Sequence, residues 1–447
     1  MRKNRNGGVK ELWTISFPLM IVTFSSVFLM FVDRLFLANY STEALNACVT
    51  SSTMGWVFVY MGMHIASKAE VFVAHCFGAE RFSDIGRPVW QMIWFSLFSS
   101  LFYIPFGIFG GEWIYQNSPY AEMEKTYFSW LVCFGPVFSL SGALAAFYVG
   151  MGRTRLVTAL SLVANVINVV LDYFLIFGIE GLFAAQGVRG AVIATCIGQV
   201  IQTTALAVLV LRKSNWSSFG ISSWKIDISI FKNCLRVGAP LALFYGMELL
   251  GWAAFYEMMT GLSEVHITVS GICQSIYFLV CFFPDGLSKG ASIIVGNCLG
   301  ARQPNTVRRV LLSGEGILLL FFLALGVLLV AYPEPIFMLF VQDMDTFPLS
   351  SLRVGLVCLW LYTFFEGARW LLSGILTAAG DTLFLLLTGS VSVWLGFVLP
   401  IYYFIVRENR SVEEAWGIVV VYSVVLFLFY LLRFYQGKWR NANLIGT

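Results

Sequence analysis

The sequence predicts an all-α polytopic membrane protein, with twelve transmembrane helices in two six-helix lobes related by an internal repeat. Three observations lead there. Of the 447 residues, 58% are hydrophobic and 12% charged, where a soluble domain carries about 25% charged residues. The chain divides into twelve apolar stretches, each able to supply the ~20 residues that cross a bilayer core. Landmarks in the first half recur in the second at nearly one offset.

The twelve expected spans are 12–37, 45–74, 88–110, 126–150, 156–178, 188–211, 235–259, 265–298, 309–332, 350–376, 382–406 and 415–435. The start, MRKNRNGGVKELW, is basic and leads into uncharged Trp13–Val32 without a small-residue cleavage pattern. It reads as an uncleaved first helix rather than a leader. Spans 45–74 and 265–298 exceed one crossing and are expected to tilt or extend beyond the membrane.

Lys and Arg set the expected orientation, because cytoplasmic loops carry an excess of them. With both termini cytoplasmic, 19 of the 28 fall on that side, among them Arg2, Lys3, Arg5, Arg81, Arg87, Arg153, Arg155, Arg212, Lys213 and Arg302. Arg34, Lys125, Arg189, Arg407 and Arg410 fall on the other, and Lys68, Lys289, Arg353 and Arg369 lie inside spans.

The repeat rests on three landmarks. VFVAHCFGAE with Gly78 matches IIVGNCLGAR with Gly300, at an offset of 222. Pro18 in SFPL and Pro240 in GAPL share that offset. Gly152 in GMGRT and Gly380 in AAGDT differ by 228. Six spans per half is an even number, so both halves insert the same way up. The expected domains are a first lobe at 1–211, a cytoplasmic linker at 212–232 and a second lobe at 233–447. Trp216 and Trp224 in the linker suit the membrane interface.

A net charge of +3 with no long basic run gives nucleic acid no phosphate-tracking groove. The nine cysteines form no CxxC pair and suggest neither disulfides nor a metal centre. No Walker A, HExxH or GxSxG pattern occurs, and His64, His75 and His266 are scattered, which argues against ATP-driven transport and against a membrane enzyme.

Charges inside a membrane need a reason, since an ionised carboxylate there costs at least ~2.5 kcal/mol. In NVINVVLDYFLIFG, Asn168 and Asp172 are four apart and share a helix face. They form either a cation or proton site or an interhelical hydrogen-bond pair. At ~1.5 Å per residue, Asp33, Asn168, Asp172 and Thr195 reach similar depths. Asp33 could instead pair with Arg34. In the second half, Glu248 lies in LALFYGMELLGW and Glu366 in LYTFFEGARW, where Arg369 could neutralise Glu366 along the helix. Asp285 and Lys289, four apart, suit each other, and Lys68 and Glu70 sit near the end of a long span.

Several stretches resemble the multidrug and toxic compound extrusion (MATE) family. They are SFPLMIVTFSSVFLMFVDRLFLANYSTEALNA, VFVAHCFGAERF, NVINVVLDYFLIFG and RGAVIATCIGQ, then RVGAPLALFYGMELL, IIVGNCLGA and GILTAAGDT. The resemblance implies a MATE/MOP-type secondary antiporter of the bacterial inner membrane. It would export small hydrophobic, often cationic compounds in exchange for Na⁺ or H⁺, acting as a monomer with no other cofactor. Residue by residue, Asp33, Asn168, Asp172 and Thr195 match the first lobe's coupling site, and would ligate Na⁺ if sodium is the coupling ion. Glu248 and Glu366 match second-lobe acids used for coupling or substrate. The chain thus carries features of both DinF-like and NorM-like branches. Lys68 in IASKAE departs from the family's small residues there. A flippase for a lipid-linked saccharide, from the wider superfamily, is the alternative reading.

Overall fold

In the computed structural model, residues 7–179, 181–340, 348–441 and 444 are described. Arg2, Lys3 and Arg5 of the basic start lie outside them. The elements in order are α1 (Val9–Tyr40), α2 (Thr42–Ser67), α3 (Ala69–Gly78), α4 (Gly86–Tyr115), α5 (Ala121–Cys133), α6 (Gly135–Gly150), α7 (Thr154–Phe177), α8 (Gly187–Val210) and α9 (Lys213–Ser218). The second half continues with α10 (Ile228–Leu262), α11 (Glu264–Val280), α12 (Phe282–Gly300), α13 (Asn305–Gly326), α14 (Glu334–Phe340), α15 (Leu349–Ala378), α16 (Thr382–Val393) and α17 (Val412–Tyr435). Among the described residues, eleven helical stretches are long and apolar enough to cross a membrane. The pair α11 and α12, bent by 41°, makes the twelfth.

Local chemistry explains the breaks. Pro284 lacks an N–H and would clash with the carbonyl four residues back, that of Val280, where α11 stops. Span eight is therefore broken rather than merely tilted. Pro136, at the start of α6, acts the same way on the end of α5. Ser41, Ser263 and Ser411 cap the next helices with their hydroxyls. Two π-helical turns, Trp394–Val398 and Ile401–Val406, flank Pro400 in the eleventh span. Helix α1 runs on to Tyr40, three residues past the expected end of span one.

The repeat is written in the backbone. Glu80 and Arg302, offset by 222, are both left-handed, with φ of 58° and 56°. Gly152 and Gly380 each end a helix at φ 76°. The next residues, Arg153 and Asp381, each donate to the carbonyl five back, Tyr148 and Leu376, at 2.9 and 3.0 Å.

The contacts fall into two compact units. One holds the residues up to Met20, Leu243–Val295 and those from Gln303 to near the end; the other holds Ile21–Ala242 and Gly296–Arg302. The cuts differ from the boundaries at 211 and 233 expected from sequence. Helices α1 and α10 each change unit two residues past a proline, after Met20 beyond Pro18 and after Ala242 beyond Pro240. The start of α1 packs on α12: a Cβ on Gly290 would lie 2.0 Å from Ser16 Oγ. The start of α10 packs on α2: a Cβ on Gly238, 222 residues after Ser16, would lie 2.9 Å from the Ile65 carbonyl oxygen.

The linker is an ordered strap on α4. Trp90 Nε1 donates to the Ile221 carbonyl at 2.7 Å, and Trp94 Nε1 to that of Trp224 at 2.8 Å. Gln91 gives Nε2 to the Lys225 carbonyl at 3.1 Å and accepts the Asp227 amide at 2.9 Å.

Candidate functional site

Two buried polar clusters stand in the membrane-spanning part, one in each compact unit.

The first is carried by α1 and α7, which run side by side. Asn165 Nδ2 donates to Ser25 Oγ at 3.0 Å, and Phe36 meets Tyr173 and Phe177 edge-on at 6.0 and 6.1 Å. Asp33 and Asp172 lie between these contacts. They are electrostatic neighbours, close enough to share a proton. As two carboxylates, neither has a hydrogen to give. Asp33 Oδ1, both oxygens of Asp172 and both polar atoms of Asn168 have no hydrogen-bond partner among the described residues. Asp172 is fully buried and Asn168 nearly so.

Buried polar groups are normally paired, so a cluster of orphans in one place asks for a guest. Two carboxylates and an amide oxygen are hard donors suited to a proton or a small cation. Asn165 ties α7 to α1 by its hydrogen bond, while Asn168 has no partner among the described residues. Asp33 makes no ion pair with Arg34, whose Nε is itself buried without an acceptor among the described residues.

Helix α8 closes the cluster. A Cβ on Gly190 would meet the Leu175 carbonyl oxygen at 2.5 Å, and one on Gly198 would meet Asn168 Cβ at 3.2 Å. These small residues let α8 lie close along α7. Thr195 stands between them but turns its hydroxyl to its own helix, onto the Ala191 carbonyl at 3.1 Å. The structure thus brings Asp33 to Asp172, with Asn168 one turn along α7, while Thr195 on α8 makes no bond to them. Tyr127 and Cys48 also neighbour the acids, and with Cys196 they belong to one apolar cluster. No sequence motif marked Tyr127. No group of three His, Cys, Asp or Glu side chains is arranged to hold a metal among the described residues.

The second cluster centres on Arg369 of α15, which is 1% exposed. Its Nε donates to Glu366 Oε2 at 2.8 Å, and its Nη2 to Glu366 Oε1. The same Nη2 reaches Glu248 Oε1 on α10 at 2.9 Å. The Trp370 indole also donates to Glu366 Oε1, at 2.6 Å. Glu366 is therefore neutralised along its helix, and Glu248 shares the same cation. Tyr422 on α17 neighbours both acids, and its hydroxyl is an orphan among the described residues.

Two further pairs of charges in the spans meet locally. Lys289 and Asp285 meet at 2.6 Å, and Lys68 and Glu70 at 3.1 Å. Sequence reading passed over Glu124, buried at the start of α5, which takes the Thr50 hydroxyl on Oε1.

Comparison with known proteins follows the same lines. The family model described as MatE matches residues 18–174 and 240–402, one segment in each half. A relative from Thermotoga maritima, "Probable multidrug resistance protein NorM", is 25% identical over 448 residues, covering 98% of this chain and 94% of its own. A solved structure titled as the outward-facing conformation of a multidrug resistance MATE family transporter of the MOP superfamily has a TM-score of 0.87 at 16% identity, covering 98% of this chain and 99% of that one. A MOP superfamily transporter from Pyrococcus furiosus has a TM-score of 0.85 at 17% identity, covering 97% of each chain. At these identities the structures speak to fold.

Proposed function

The chain belongs to the MatE family, whose members are membrane transporters rather than enzymes, and on that premise we propose that it is a secondary active multidrug exporter. It moves small hydrophobic, often cationic compounds outward in exchange for Na⁺ or H⁺ by alternating access. The multidrug resistance names of its relatives support this reading. The observation that carries it is the buried Asp33–Asp172 pair with Asn168, where Asp33 Oδ1, both Asp172 oxygens and Asn168 Oδ1 lack partners among the described residues.

The mechanism follows from the cost of those oxygens. With both carboxylates charged and unpaired, the surrounding packing is under electrostatic strain. A proton or Na⁺ taken up from outside removes it and favours one arrangement of the helices. Release toward the cytoplasm restores the charge and favours the other. Moving a two-state equilibrium from 1:99 to 99:1 takes about 5.5 kcal/mol of differential binding, within reach of neutralising a buried pair. Asp33 and Asp172 take the ion, Asn168 adds its amide oxygen, and Thr195 is placed to turn its hydroxyl in. Glu248 and Glu366 form the corresponding acidic set of the second lobe.

The chain sits in a bacterial inner membrane with both termini cytoplasmic, a topology the Lys and Arg asymmetry supports. The test is export of a cationic dye from proteoliposomes under an imposed Na⁺ gradient or pH gradient. One gradient drives export in wild type, and Asp33→Asn abolishes it. If neither gradient moves a cationic dye, the proposal fails and a lipid-linked saccharide becomes the substrate to try.

A further inference from the structure

The second lobe holds an arginine where the transport reading needs room for an ion. Arg369 is buried between two carboxylates, and its guanidinium carbon lies 5.5 Å from the Phe244 ring and 5.7 Å from that of Tyr430. Two acids with aromatic faces alongside are the partners that recognise a free cation. Here the cation is part of the chain. A tethered group competes with free ions at a high effective concentration, and the more so when it is held in place.

The arrangement is lopsided. Glu366 receives two donors from Arg369 and one from Trp370, so its carboxylate is fully engaged. Glu248 receives a single bond from Arg369, and its side chain keeps 13% exposure. With one positive charge for two negative ones, the cluster keeps a single net negative charge, where Asp33 and Asp172 as carboxylates carry two.

The geometry points to Arg369 as a built-in cation that fills the Glu248–Glu366 pair and keeps it from taking up a free coupling ion. Ion coupling is thereby left to Asp33 and Asp172. The inference rests on the transport reading above, but its test needs no transport, so the two can fail separately.

The experiment uses purified full-length protein in detergent, with thermal unfolding followed as NaCl replaces choline chloride at constant ionic strength. The background is Asp33→Asn with Asp172→Asn, which removes the first cluster's charges. In that background Na⁺ is expected to leave the midpoint unchanged. Adding Arg369→Gln is expected to create a saturable rise of about 2–4 °C, lost again on Glu366→Gln. A purely structural arginine would lower the midpoint without creating a Na⁺ response, and that result overturns the inference. Where Arg369→Gln does not fold, the background is compared with and without Glu248→Gln. Flat responses in both uphold the inference; a saturable Na⁺ shift that Glu248→Gln removes overturns it.

Discussion

Gly78 and Gly300, 222 residues apart, hold equivalent places in one tight crossing of α3 and α12. A Cβ on Gly78 would lie 2.0 Å from the Asn297 carbonyl oxygen, and one on Gly300 would lie 2.1 Å from that of His75. His75 and Asn297 are themselves offset by 222, so the contact is reciprocal, as in a two-fold interface. No side chain larger than hydrogen fits at either place without moving backbone. Gly78→Val and Gly300→Val are each expected to cost about 1–3 kcal/mol and to lower export in the proteoliposome assay more than tenfold. Export at the wild-type rate from either variant would show that the crossing need not form.

Arg369 and its two acids make a second prediction. Removing one member of a buried ion cluster costs roughly 3–5 kcal/mol, because the partners stay behind uncompensated. Arg369→Met leaves two buried carboxylates and is expected to be the most destabilising single change at this site by thermal unfolding. Adding Glu248→Gln and Glu366→Gln is expected to restore most of the loss. If the triple variant is no more stable than Arg369→Met, charge is not what makes the arginine necessary.

Asp172 behaves oppositely. Its carboxylate is fully buried, and neither oxygen has a partner among the described residues. Asp172→Asn removes an uncompensated charge and supplies a donor toward Asp33. The variant is expected to be more stable than wild type by about 1–3 kcal/mol, a gain bought with lost coupling. A lower unfolding midpoint than wild type would mean that the charge is already satisfied in the folded protein.

The linker strap gives a local prediction. Trp90, Gln91 and Trp94 hold residues 221–227 to α4 through side-chain bonds to backbone. Each is worth about 1 kcal/mol. Trp90→Phe with Gln91→Leu is expected to expose this segment to limited proteolysis severalfold faster than in wild type. Unchanged cleavage would show that the strap is held by its apolar contacts alone.

Much of this was legible in the sequence because membranes make simple demands. Twelve apolar runs became twelve spans, one of them broken. The offset of 222 reappeared as matched left-handed residues, Glu80 and Arg302. The spacing of four between Asn168 and Asp172 matches two buried positions one turn apart on α7. What stayed hidden depends on contacts between distant segments. Nothing in LALFYGMELLGW says that Glu248 meets an arginine 121 residues later. The exchange of units past Pro18 and Pro240 also follows from packing, which hydropathy does not encode. Tyr127 carries no periodic signal that separates it from any other core tyrosine.

The central claim is that Asp33 and Asp172 couple an ion to transport. The most direct test compares gradient-driven dye accumulation with dye exchange at equilibrium, in one set of proteoliposomes carrying Asp172→Asn. The account predicts that exchange persists while accumulation against a gradient is lost. Accumulation at the wild-type level in Asp172→Asn would contradict it.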